Sequence, residues 1–137
     1  MITAVDTSVL LDVFTADPIF GPASRDSLGH CLASGTVVAC PVVWAETSAL
    51  FPDAASAEAA MNTLGAAFSA LDRRAALRAG ETWHNYRKRG GRRSRVIADF
   101  LVGAHASVQA DRLLTRDRGF YRVYFPDLTV IDPVDGR

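Results

Sequence analysis

The first ten residues, Met1-Ile2-Thr3-Ala4-Val5-Asp6-Thr7-Ser8-Val9-Leu10, constrain the fold more than any other stretch. Ile2 to Val5 is short, mostly apolar and partly β-branched, the pattern of a buried strand. Thr7 or Ser8 then offers a helix N-cap, and Val9, Leu10, Val13 and Phe14 recur at helical spacing. A buried strand running straight into an amphipathic helix is the opening of a β-α unit, which leads to a parallel sheet covered by helices. Asp6 sits at the carboxyl end of that strand, the end at which open α/β sheets bind ligands. Its simplest role there is to cap the following helix; a role in a site requires other polar groups to return to the same place.

The rest of the chain alternates in the same way. Arg25 to Ser34 fits a helix with Leu28, Cys31 and Leu32 inward, and Thr36 to Cys40 is a second β-branched strand. Pro41 suits a first helical position, opening a helix through Leu50 that carries Glu46. Asp53 or Ser56 opens an alanine-rich helix to about Leu64. Ala67 to Leu71 reads equally as a short third strand or as more helix. Asp72 is placed to cap a helix from Arg73 to Arg89, and Val96 to Gln109 forms another, with Asp99, Val102, Gly103 and Ala106 on one face. Arg112 to Thr115 and Leu128 to Ile131 read as strands, joined by an aromatic connection from Gly119 to Phe125. The expected architecture is α/β: a three-layer α/β/α sandwich with a central parallel sheet, in a single domain spanning 1–137.

Composition narrows the class of function. With 137 residues, 49% of them hydrophobic and 22% charged, the chain can bury a substantial core. No basic segment leads into an apolar one, and the longest apolar run, 36–45, is broken by Pro41; no membrane span is expected, and the setting reads as cytoplasmic. Cys31 and Cys40 lack metal-ligand spacing and read as small core residues. His30, His84 and His105 form no HxH or HExxH pattern, which speaks against zinc.

The net charge of zero conceals a segregation. From Arg73 to Arg95 there are nine basic residues against Glu81 alone, a balance of +8, and the remainder of the chain carries −8. A basic surface for a polyanion beside an acidic region is one reading; a solvated arginine-rich helix is the other. The acids decide between them. Asp6 and Asp117 each follow a strand, while Glu46 and Asp99 stand in apolar helical stretches where a charge needs water or a partner. The only lysine is Lys88, so no lysine lies beside either acid in the sequence. Four carboxylates converging at strand ends repel one another unless a cation lies between them, and at least one should then titrate above the usual value of about 4. Hard divalent ions such as Mg²⁺ or Mn²⁺ take such oxygen ligands. An acidic pocket beside a basic face points to metal-dependent phosphodiester cleavage.

The motifs Asp6-Thr7-Ser8-x-Leu10-Leu11, Glu46 in its helix, Ala98-Asp99-Phe100-Leu101-Val102-Gly103-Ala104 and Leu114-Thr115-Arg116-Asp117-x-x-Phe120 together resemble the PIN domain, and more narrowly the VapC-type toxins of bacterial toxin–antitoxin pairs. The resemblance covers essentially the whole chain. It implies Mg²⁺- or Mn²⁺-dependent endonucleolytic cleavage of RNA, with Asp6, Glu46, Asp99 and Asp117 as the acids. Of these, Asp6, Asp99 and Asp117 would hold metal, with Glu46 either holding a second ion or orienting the attacking water. Ser8 and Thr115 match hydroxyl residues that orient the carboxylates. Gly103 replaces the family's usual alanine. Arg92, Arg93, Arg95 and Arg116 would hold flanking phosphates; Trp83 and Tyr86 could stack on bases but fit core or dimer packing better. A cognate VapB-type antitoxin and a toxin homodimer are also implied.

Two rivals are weighed. A receiver or haloacid-phosphatase fold also places Asp after strand one. The phosphatase wants a second Asp where Ser8 stands, and both want a lysine near the last strands, where none occurs. A catalytically inactive PIN-like RNA- or protein-binding module predicts loss of one or more acids, and all four are present.

Overall fold

The computed structural model describes residues 1–91 and 96–134. Five strands, β1 (Ile2–Val5), β2 (Thr36–Ala39), β3 (Ala66–Phe68), β4 (Arg112–Leu114) and β5 (Thr129–Ile131), form one sheet in the order β3-β2-β1-β4-β5. Every pairing is parallel. Seven helices among the described residues cover it: α1 (Thr7–Phe14), α2 (Gly21–Ala33), α3 (Pro41–Ser48), α4 (Ala54–Leu64), α5 (Arg73–Lys88), α6 (Ile97–Gln109) and α7 (Arg118–Tyr124). This is the α/β/α sandwich expected, and none of these helices is long and apolar enough to cross a membrane.

Local chemistry sets the element boundaries. The α4 helix begins at Asp53, whose carboxylate accepts the Ser56 N–H at 2.7 Å, and it ends at Gly65, whose φ of 94° suits a residue without Cβ. The α5 helix begins at Asp72, which accepts the Ala75 N–H at 2.8 Å. Pro41 opens α3, where its missing N–H costs nothing. Of the ambiguous stretch Ala67–Leu71, Ala67 and Phe68 belong to the strand β3, hydrogen-bonded to β2 in the register Val38↔Ala67, and Ser69–Leu71 are neither strand nor helix.

Four expectations need correction. The cap of α1 is Asp6 itself, which accepts the Thr7 N–H at 2.8 Å, and not Thr7 or Ser8. The α2 helix starts at Gly21, ahead of Arg25, because Pro22 is accommodated in its first turn. Leu32 is 36% exposed and faces outward. The aromatic connection after Asp117 is the helix α7, whose Phe120 and Tyr121 turn into the core.

The core is layered around the central strand: Ala4, Val5, Val37, Ala39, Leu113 and Leu114 are buried, as are Val9, Leu10 and Phe100 from the helices. Tyr86, Phe100, Phe120 and Tyr124 join α5, α6 and α7 through ring contacts with centroids 5.1 to 6.1 Å apart. Tyr86 is therefore a core residue, as its sequence context favoured. Cys31 and Cys40 are buried free thiols. The α6 helix is sewn to the segment before α5: His105 Nε2 lies 2.8 Å from Ser69 Oγ, while Gln109 accepts the Asp72 N–H at 3.0 Å and donates to the Ala70 carbonyl at 2.9 Å.

Candidate active site

The strand order reverses direction at β1, whose neighbours are β2 and β4. Connections leaving β1 and β4 diverge there, and a crevice opens at their carboxyl ends. The register Val5↔Leu114 sets Asp6 beside Thr115, one residue past each strand, and the Asp6 N–H donates to the Leu114 carbonyl at 3.0 Å. Glu46 reaches the same place from α3, the helix that follows β2. Acids from three adjacent strand ends thus meet at the middle of the sheet.

A chain of hydrogen bonds ties them together. Thr115 Oγ1 donates to Asp6 Oδ2 at 2.7 Å and accepts the Asp117 N–H at 3.0 Å. Thr7 Oγ1 donates to Glu46 Oε1 at 2.8 Å. Thr115 is fully buried, so its hydroxyl is fixed on both sides. Thr7 looks only like a capping residue in the sequence; its hold on Glu46 depends on a contact across 39 positions that no local pattern displays.

The electrostatics of Asp6 record the crowding. Its carboxyl is pushed from an ordinary 3.8 up to about 6, chiefly by burial; the charges of Glu46 and Asp117 add to this, and the bonds from Thr115 and Thr7 oppose it. This is the raised carboxylate expected from converging acids. Burial also pushes up the neighbouring Cys40 thiol, with the charge of Asp6 adding to it.

The remaining expected residues are placed as follows. Asp99 lies in the first turn of α6, where its carboxylate accepts the Val96 N–H at 3.3 Å. That helix packs on β1 and α3, the elements that carry Asp6 and Glu46. Ser8 Oγ accepts the Arg116 N–H at 3.4 Å, holding the loop after β4 against α1. Arg92, Arg93 and Arg95 lie outside the described residues.

Arg116, expected to hold a flanking phosphate, is engaged here in an internal ion pair. Its Nε lies 2.7 Å from Asp12 Oδ2 and its Nη2 3.0 Å from Asp12 Oδ1, and it stacks 4.0 Å above the Phe20 ring. Arg118 pairs with Asp132 at 3.6 Å. The cleft of about 370 Å³ that both arginines border is accordingly lined by acid as well as base.

Gly103 is more than a small-for-small exchange. A Cβ built there would collide with the Phe125 ring edge at Cε2, and that ring is itself fully buried. The close passage of α6 over Phe125 depends on glycine.

The donors at the site suit a hard divalent cation. Asp6, Glu46 and Asp117 offer carboxylate oxygens alone, without imidazole or thiolate. Among the described residues no three acid, histidine or cysteine side chains are already closed into a cage; the acids sense one another across the crevice, as repelling carboxylates do. A cation between them would offset the repulsion from Glu46 and Asp117 that adds to the burial of Asp6.

Comparison with known proteins agrees with the fold. The family model described as "PIN domain" matches residues 3–126. No curated protein matches the sequence. Among solved structures, VapBC2 from Rickettsia felis bound to a promoter DNA fragment aligns with a TM-score of 0.75 at 16% identity, covering 96% of this chain and 98% of that one. VapBC-1 from nontypeable Haemophilus influenzae aligns at 0.73 and 17%, covering 98% and 99%. DNA-bound VapBC from Salmonella typhimurium aligns at 0.70 and 15%, covering 97% and 98%. At such identities the likeness is one of fold, while the family model rests on the sequence across most of its length: the chain belongs to the PIN domain family.

Proposed function

We propose that this protein is a VapC-type toxin, a divalent-metal-dependent endoribonuclease acting in the cytoplasm and silenced by a VapB-type antitoxin. The observation that carries the reading is the half-buried Asp6 carboxyl, raised by desolvation and by Glu46 and Asp117, yet gripped by Thr115 and the Thr7 amide. A merely structural cap has no need of two further acids beside it. The VapBC structures, and a toxin–antitoxin complex from Klebsiella pneumoniae, share the fold, which supports the partner and the role. A toxin homodimer belongs to the same reading.

Asp6, Asp99 and Asp117 would hold Mg²⁺ or Mn²⁺, with Glu46 either completing the shell of a second ion or orienting the water. The bound ion would supply a lowered pKa for water and charge stabilisation at the phosphate. The protein's own part is positional. Thr115, bonded to Asp6 and to the Asp117 amide, fixes the separation of the two strand-end acids. Thr7 turns the Glu46 carboxylate toward them, leaving its second oxygen available to accept a proton or a water hydrogen. Arg92, Arg93 and Arg95 would bind flanking phosphates of the RNA.

Induced expression in bacterial cells tests the role. Wild type should arrest growth with fragmentation of cellular RNA, and Asp6→Asn should not. Arrest that persists unchanged in Asp6→Asn would favour a binding module without catalysis.

A further inference from the structure

Asp12 is the most deeply buried acid described in the chain, 3% exposed, and the reaction proposed above does not use it. Its carboxylate accepts three hydrogen bonds: from Ser24 Oγ at 2.7 Å, Arg116 Nε at 2.7 Å and Arg116 Nη2 at 3.0 Å. Ser8 and Asp12 lie one turn apart on α1, so the same helix face receives both the backbone and the guanidinium of Arg116. Arg116 in turn stands between Thr115, whose hydroxyl bonds Asp6, and Asp117. It is one of the two arginines that flank Asp117 in the chain, and it is directed onto Asp12 and the Phe20 ring, with Asp17 also feeling its charge.

We propose that Asp12 is a positioning residue that sequesters the Arg116 guanidinium, so that this arginine does not compete with a divalent cation for Asp6, Glu46 and Asp117. This rests on reading those acids as the metal site. The physical argument is one of competition. A cation tethered beside three carboxylates neutralises them and displaces a diffusible ion unless a stronger partner holds it. A buried carboxylate that binds two of the three guanidinium nitrogens side-on, with a serine hydroxyl completing its shell, is such a partner. Asp132 takes Arg118 on the other side of Asp117 at 3.6 Å, so acids engage both flanking arginines.

Mn²⁺ binding to the full-length, RNA-free protein, measured by calorimetry at pH 7.5, tests the idea with no enzymatic readout. Asp12→Asn should bind Mn²⁺ at least tenfold more weakly than wild type, because the released guanidinium turns to the acids. The double variant Asp12→Asn/Arg116→Gln, which keeps a neutral hydrogen-bonded pair of similar size, should return to within threefold of wild type. Asp12→Asn binding like wild type overturns the proposal, as does a double variant that remains tenfold weak, since Asp12 would then act as scaffold alone. If Asp12→Asn does not melt cooperatively, the double variant decides by the same threefold and tenfold limits. A wild type that binds no Mn²⁺ overturns the metal site itself, and the sequestration with it.

Discussion

Replacing Asp6 with Asn should make the metal-free protein more stable at neutral pH, although it removes the residue best placed for catalysis. The folded carboxyl titrates at about 6 against an ordinary 3.8. The folded state therefore binds this proton more tightly than the unfolded chain, and stability is lost as pH rises from the unfolded pKa through the folded one. At about 1.4 kcal/mol per pKa unit, the ionised Asp6 costs at most about 3 kcal/mol above pH 6, and very little below pH 4. Asn keeps one oxygen, which can accept the Thr7 N–H, while its amide nitrogen faces Thr115 and donates to that hydroxyl instead of accepting from it, so the variant sheds the cost while keeping one bond and reversing the other. Allowing for partial loss of hydrogen-bond strength, a gain of about 1.5–3 kcal/mol is expected at pH 7.5, or roughly 5–10 °C in Tm for a chain of this size. Thermal melts in EDTA at pH 4 and pH 7.5 measure it. The two proteins should nearly coincide at pH 4 and separate as pH rises. A variant less stable than wild type by the same amount at both values would show that Asp6 is a cap and that its charge carries no penalty.

Other perturbations probe separate parts of the account. Gly103→Ala should cost about 1–3 kcal/mol, seen in urea denaturation, because the new Cβ meets the immobile Phe125 ring; an unchanged midpoint would mean that the helix can shift. Burial holds the His105 imidazole below its usual pKa, with Asp72 opposing, so stability should fall as pH drops below about 6.5, and His105→Gln should flatten that limb in stability curves. Changing Arg92, Arg93 and Arg95 to Ala should weaken RNA binding and flatten its salt dependence by up to about three counterions, read from affinities across a salt series. An unchanged slope would move the RNA path elsewhere.

Much of the fold is legible in the sequence because its signals are local. Ile2–Val5 and Thr36–Ala39 are β-branched runs, Gly65 and Pro41 punctuate their helices, and Asp53 and Asp72 cap theirs. The aromatic run after Asp117 misleads, since large rings favour strand or loop until burial against Phe100 rewards a helix. At the site, Asp6 and Asp117 can be paired from sequence because each follows a strand. What cannot be read is who holds whom: Thr7 on Glu46, or Arg116 on Asp12, are contacts across 39 and 104 positions. Asp12 carried a usable signal all the same, being an acid between Leu11 and Val13 in an apolar helix, where a charge must find a partner.

The central claim is that the acids around Asp6 cut RNA with the help of a divalent ion. Its most direct measurement is the fragmentation of a defined RNA by the purified protein in Mg²⁺ or Mn²⁺, in excess EDTA, and with Asp6→Asn purified identically. Cleavage is expected only for wild type with metal. Equal cleavage in EDTA, or by Asp6→Asn, would contradict it.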